Sequence, residues 1–376
     1  MDLQKQDRVR RLLEANDHLC MTLYMSAADM PADTSKGSEA DPVLVDIRSQ
    51  LESLGFLSQE IETMIDPVED MLSEPKIKLR DNENCVAFFV SQEVQTFLTY
   101  KGECQQIQYI GEEFYLLPLM HLFNTDRIYY LLDLQEESAS FFRCSPLMMK
   151  TLWKDRKMPD NVMEHASSAA GNDDKDPRGN PAGTSKYENG ELSDEATGWT
   201  PQSFNEMVGT YMSRRKPPLV LAGPPGKTGP LADLIGDKRS NIYELHTNST
   251  QDADEKRLHR DSCRMLKDYF AEKLEMRKHT FLDAIGKGKV SLDINFVLPA
   301  AAEGKVEVLF LSKEADRYGH YDAVNNTLII SNSKKVGESS LHNRAALETW
   351  RHGGQVYLLD HSEMPVPGSS LNALLC

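Results

Sequence analysis

The stretch Arg351-His-Gly-Gly-Gln-Val-Tyr-Leu-Leu-Asp360 decides how the C-terminal third is read. Upstream, Leu341–Arg351 spaces its apolar residues as a helix with one buried face does. Glycine just past a helix end is the usual left-handed cap, so Gly353 and Gly354 predict a stop. Val356-Tyr-Leu-Leu359 then reads as a buried strand that begins at Gln355. Helix, glycine turn and strand in succession point to an α/β domain.

The same alternation extends outward. Lys305–Leu311 and Thr327–Ile330 read as strands, and about 292–302 as a short helix ending at Gly304. Asp254–Gly286 reads as one long helix. In the middle, Asp126–Leu134 and Ala139–Arg143 read as a hairpin across the polar Gln135–Ser138, with Pro218–Gly223 a short buried strand and Gln202–Met212 a helix. Near the start, residues 5–16 read as a helix, His18–Met25, Cys85–Val90 and Val94–Leu98 as strands, and Asp41–Leu54 and about 58–73 as helices. Residues 154–200, rich in Gly, Asp, Asn, Pro and Ser, have too few large apolar side chains to order themselves and predict a mobile loop. A chain of 376 residues is too long for one ordinary core. The elements group as an acidic N-terminal α/β domain (1–125), a middle domain (126–240) and a C-terminal α/β domain (245–376).

Charge narrows the partners. The net charge is −16, and residues 1–125 hold 10 Lys/Arg against 22 Asp/Glu. Phosphate backbones are bound by Lys and Arg, so any nucleic-acid contact is expected beyond about 126. Arg214-Arg-Lys216, at a predicted helix end, is the candidate RNA contact; the plainer reading is a favourable meeting with the helix dipole. The charged N-terminus lacks a signal-peptide core, and Tyr115–Phe123 is too short to cross a bilayer. A cytoplasmic chain with no membrane partner is expected. Its six cysteines form no CxxC and are expected as reduced thiols, without a metal site.

Several motifs invite chemistry and fail on spacing. Leu221-Ala-Gly-Pro-Pro-Gly-Lys-Thr-Gly229 resembles a phosphate loop, but Gly223 and Gly226 stand too close, and Pro224 and Pro225 lack the N–H donors such a loop needs. A strand-to-helix turn is expected instead, and no cofactor. Asp174–Gly179 begins like a calcium loop, yet its twelfth position is Ser185 rather than a bidentate Glu. His259-Arg-Asp261 echoes a kinase loop but lies inside a predicted helix, which makes it a solvated face. His320 and Asp322 could do acid–base work, though turn and edge structure before the Thr327 strand is the simpler expectation.

Taken in order, Met21–Met25, Cys85–Ser91, Phe114–Leu119, Arg127–Gln135, Phe141-Phe142, Leu219–Gly223, Ala300–Phe310 and His352–Leu358 resemble the bacterial relatives of archaeal and eukaryotic class-one release factors and Pelota. The resemblance implies an RNase H-like middle domain, a Pelota-like C-terminal α/β domain and a role around ribosome rescue, with the ribosome or tRNA as partner. It also gives Gly353-Gly354-Gln355 a second meaning, because Gly-Gly-Gln is the peptide-releasing tripeptide of class-one factors. There it stands on a mobile middle-domain loop. Here it falls in the C-terminal domain, and 154–200 contains no Gly-Gly-Gln. The resemblance therefore implies a release-factor-like protein without that chemistry at 353–355, and leaves its catalytic residues unknown. A non-catalytic interaction scaffold with no RNA role is the competing expectation.

Overall fold

The structure is a computed structural model that describes residues 11–15, 17, 19–30, 42–73, 84–100, 104–122, 127–135, 138–146, 148–157, 210, 217–235, 241–247, 255–331 and 337–376. It divides into two compact units, one of residues 126–273 and one formed by 2–125 together with 274–376. Among the described residues, no helix is long and apolar enough to cross a membrane.

The split unit begins with β1 (Cys20–Ser26), followed by helices α1 (Pro42–Ser53) and α2 (Ser58–Ser73). Strands β2 (Cys85–Val90), β3 (Gln95–Tyr100) and β4 (Ile107–Gly111) complete an antiparallel sheet of order β3-β2-β1-β4. β1 and β2 are buried on both faces, which explains their unbroken apolar runs. One face packs on α1 and α2 through Leu44, Ile47, Ile61, Ile65 and Val68. The six cysteines do not all stay reduced, as the sequence had suggested: Cys85 and Cys104 form a disulfide, with Cα atoms 5.6 Å apart. The cause is the β2–β3 hairpin. It sets Tyr100 opposite Cys85, and Cys104 follows a few residues on.

The 126–273 unit holds β5 (Tyr129–Leu134), β6 (Ser138–Ser145), β7 (Met148–Lys157), β8 (Leu219–Gly223), helix α3 (Pro225–Ile235), β9 (Ile242–His246) and helix α4 (Glu255–Met265). Its sheet runs β7-β6-β5-β8-β9. β5, β6 and β7 pair antiparallel, and β8 and β9 run parallel to β5. The β5–β6 hairpin is the one read from sequence. Residues 154–157, read as the start of a mobile loop, instead extend β7; the rest of that segment lies outside the described residues, as does most of the predicted helix 202–212. The predicted single helix 254–286 is two helices, α4 and α5 (Lys267–Ala284), and the boundary between the units falls within α5.

The split unit resumes with β10 (Val290–Ser291), α6 (Ile294–Ala302), β11 (Val306–Ser312), β12 (Tyr318–Asp322), β13 (Thr327–Ile330), β14 (Ser339–Ser340), α7 (Leu341–Arg351), β15 (Gln355–Leu359) and β16 (Leu371–Leu375). β11 pairs parallel with β15 and antiparallel with β16. β12 is the central strand of a three-stranded sheet, paired with β13 and β14, where the sequence suggested turn and edge structure. One core joins the two halves of this unit: Tyr24, Phe89 and Phe114 cluster with Val297, Leu309, Ala346 and Val356. Asn343 of α7 is buried there, accepting from the Leu116 amide at 2.8 Å and donating to the Phe114 carbonyl at 2.9 Å. A buried backbone segment without such partners would cost several kcal/mol, on the order of 1–3 per group.

Candidate nucleic-acid interface

The Gly-Gly-Gln tripeptide is built into this core. His352 caps α7. The Gly353 amide donates to Trp350 O and the Gly354 amide to Thr349 O, both at 2.9 Å. These two bonds are the Schellman pair, and Gly353 takes the left-handed conformation it needs, with φ +84°. A Cβ on Gly354 would lie 2.6 Å from the Val306 carbonyl oxygen. Gln355 is 7 % exposed, sits opposite Val308 in the parallel β11–β15 pairing, and accepts from the Tyr357 hydroxyl at 3.3 Å. Its side-chain amide is held inside the unit.

The phosphate-loop lookalike is closed as well. Gly223 stands where a Cβ would meet Leu134 O at 2.8 Å, so close packing explains this glycine. Lys227 Nζ donates to Gln135 O at 2.6 Å, and the buried Thr228 hydroxyl donates to Glu244 at 2.7 Å. The segment is the strand-to-helix turn expected from its prolines, with α3 starting at Pro225. His320 is more than half exposed and stands 3.8 Å from Glu112. Asp322 caps the β12–β13 turn by accepting from Val324 N, Asn325 N and the Asn325 side chain, and these bonds hold its carboxyl below the usual range. Among the described residues no group of His, Cys, Asp or Glu could hold a metal ion. Arg214, Arg215 and Lys216, the RNA contact expected from the sequence, lie outside the described residues, as do Asp174–Gly179.

The geometry favours a different cationic surface, on α4. Its sequence, Glu255-Lys-Arg-Leu-His-Arg-Asp-Ser-Cys-Arg-Met265, separates into two faces. Leu258 and Ser262 are buried. Ser262 meets the Tyr129 hydroxyl at 2.8 Å, and the Cys263 sulfur lies 3.2 Å from the same hydroxyl. His259 Nε2 lies 2.7 Å from Ser145 O, a contact that requires the ring to donate. The same nitrogen is 3.6 Å from Cys263 but, committed to the carbonyl, cannot take the thiol proton. Burial pushes the Cys263 thiol up, against thiolate formation. These groups anchor the helix and do not form a nucleophile–base pair.

Arg257, Arg260 and Arg264 occupy the outer face at helical spacings of three and four. They are 75 %, 47 % and 75 % exposed. All three surround Asp261 at 3.6–3.7 Å, beyond hydrogen-bond length. At the N-terminal end Glu255 is neutralised by Lys154 of β7 at 2.8 Å. β7 is an edge strand that also carries exposed Lys150, set opposite Arg143, and Arg156, whose guanidinium lies 5.6 Å from the Trp153 ring centroid. The sequence reading missed this surface because it weighed charge over whole segments, where Asp and Glu elsewhere cancel it. The signal available was the i, i+3, i+7 spacing of the arginines.

Residues 128–305 match the family model described as bacterial archaeo-eukaryotic release factor family 3. No curated protein matches the chain. Among solved structures, Archaeoglobus fulgidus Pelota is 14 % identical, with 74 % of this chain and 77 % of that one covered and a TM-score of 0.29. A model of ribosome-bound archaeal Pelota and ABCE1 is 10 % identical, covering 98 % and 93 %, with a TM-score of 0.37. Dom34 of S. cerevisiae, a translation termination-like factor involved in RNA quality control pathways and interacting with Hbs1, is 13 % identical, covering 77 % and 78 %, with a TM-score of 0.32.

Proposed function

We propose that this chain, release-factor-like over residues 128–305, acts in ribosome rescue or translation quality control by associating with the ribosome or tRNA, and does so without Gly-Gly-Gln chemistry at 353–355. The observation that carries the first part is the family match, which spans the 126–273 unit almost from its start. The second part rests on Gln355, whose side chain is buried and bonded within β15. An amide that orients water or steadies developing charge must reach the reacting carbonyl, and this one is enclosed.

Sedimentation through sucrose gradients with ribosomes tests the proposal. Co-migration that falls as salt rises is expected, since each phosphate contact adds to the salt dependence. Recovery in the free fraction alone at low salt would overturn it and favour the scaffold reading, which the acidic residues 1–125 support.

A further inference from the structure

We propose that Arg257, Arg260 and Arg264 form a stripe on α4 that contacts successive phosphates of an RNA backbone. The inference rests on the proposed association with ribosome or tRNA for its choice of RNA, but its geometry stands by itself. From residue 257 to 264 the helix rises about 10 Å. Three guanidiniums along that length offer a row of charge to a polyanion. The single carboxylate among them, Asp261, keeps the arginines spread without satisfying them: each reaches it only at 3.6–3.7 Å. Guanidinium groups carry five N–H donors in a planar fork suited to phosphate oxygens, so most of that capacity faces outward here. The opposite face of α4 is pinned by Leu258, Ser262 and the Tyr129 hydroxyl, which presents the stripe on a fixed element. With Glu255 balanced by Lys154, the outer surface of the helix keeps a positive excess even though the chain as a whole is acidic. An acidic protein segment would also be drawn to such charge. The regular helical spacing of the arginines favours the evenly repeating charge of a nucleic-acid strand.

Binding of a fluorescein-labelled RNA hairpin to the full chain, followed by anisotropy across a salt series, tests the stripe. Each of Arg257→Gln, Arg260→Gln and Arg264→Gln is expected to weaken binding and to lower the log–log salt slope by about 1. The triple variant should lose about 3 in slope and at least tenfold in affinity at low salt. Asp261→Asn is expected to tighten binding, because it removes the one competing anion. A merely structural role for the helix would not give opposite signs for the arginine and aspartate variants. The three arginines are solvent-facing and Asp261 is partly exposed, so unchanged circular dichroism and thermal midpoint are expected and serve as the folding control. Wild-type strength in the triple variant, weaker binding in Asp261→Asn, or no hairpin binding by the wild type would each overturn the assignment. Ribosome co-sedimentation separates the two levels. If the triple variant still sediments with ribosomes and binds the hairpin normally, the stripe is refuted and the translational role stands. If the stripe binds the hairpin but the wild type never sediments with ribosomes, the role falls and the stripe stands.

Discussion

Substituting the three residues of Gly353-Gly354-Gln355 one at a time separates a framework turn from a working tripeptide. Gly353 has φ +84° with open space around a notional Cβ. Alanine there costs only the left-handed backbone penalty, about 1–2 kcal/mol. Gly354 is different. Its Cβ would lie 2.6 Å from Val306 O, 2.6 Å from Thr349 Cγ2 and 2.9 Å from Thr349 O. Two of these are backbone atoms, of β11 and α7, that cannot turn aside as a side chain can. Alanine must push the helix end off the sheet, so the cost belongs at the upper end of overpacking, about 3 kcal/mol. Gln355→Ala removes one hydrogen bond to Tyr357 and part of a buried side chain, about 1 kcal/mol. The expected order of damage is therefore Gly354, then Gly353 and Gln355 together. Trp350 lies in α7 beside the turn, and the other tryptophans of the chain are Trp153 and Trp199. Urea unfolding followed by Trp350 fluorescence, in a background with those two changed to Phe, reads the turn directly. A Gly354→Ala protein as stable as its parent would refute the packing argument. A Gln355→Ala protein of normal stability that had lost a peptidyl-tRNA hydrolysis activity present in the parent would refute the framework reading altogether.

Two further outcomes probe the joint core of the split unit. Glu113 is 2 % exposed and bonded to Arg344, which also pairs with Glu348 at 3.1 Å; Glu348 in turn holds Arg351 at 3.0 Å. Arg344→Ala leaves Glu113 buried without its cation and should cost about 3–5 kcal/mol in the same urea assay, whereas Glu113→Gln with Arg344→Met should recover most of it; equal losses in single and double variants would refute the pairing. His342 is buried, with Nδ1 3.0 Å from Ala315 O and Nε2 without a partner among the described residues, and faces Asp316 and Arg317. Burial lowers its pKa despite the pull of Asp316. The unfolded chain then binds the extra proton first, so stability is full above the ordinary imidazole value of about 6.5 and falls as pH drops below it. His342→Gln should flatten the urea midpoint between about pH 7 and about pH 5.5, and an unchanged slope there would refute the assignment.

How far the letters carry depends on where their partners lie. α7 and β15 were readable to the residue, since an amphipathic helix, a glycine cap and an apolar run are all local signals. The β5–β6 hairpin was equally local. The break between α4 and α5 was not, because Leu258, Cys263, Leu266, Phe270 and Leu274 keep helical spacing straight through it. β16 hid behind Pro365, Pro367 and Gly368, and β9 was too short and polar at its flanks to announce itself. Buried polar residues were the least legible. Asn343 is chosen by two backbone groups more than two hundred positions away, and nothing near it in the chain says so. The same distance argument explains why a tripeptide cannot certify an activity. Gly354 is glycine because the Val306 carbonyl occupies the space a Cβ would need, and Gln355 is enclosed because it begins the strand that pairs with β11. The arginines of α4 were overlooked for the converse reason: their meaning lies in a spacing of three and four residues on one face, which segment-wide charge counts average away.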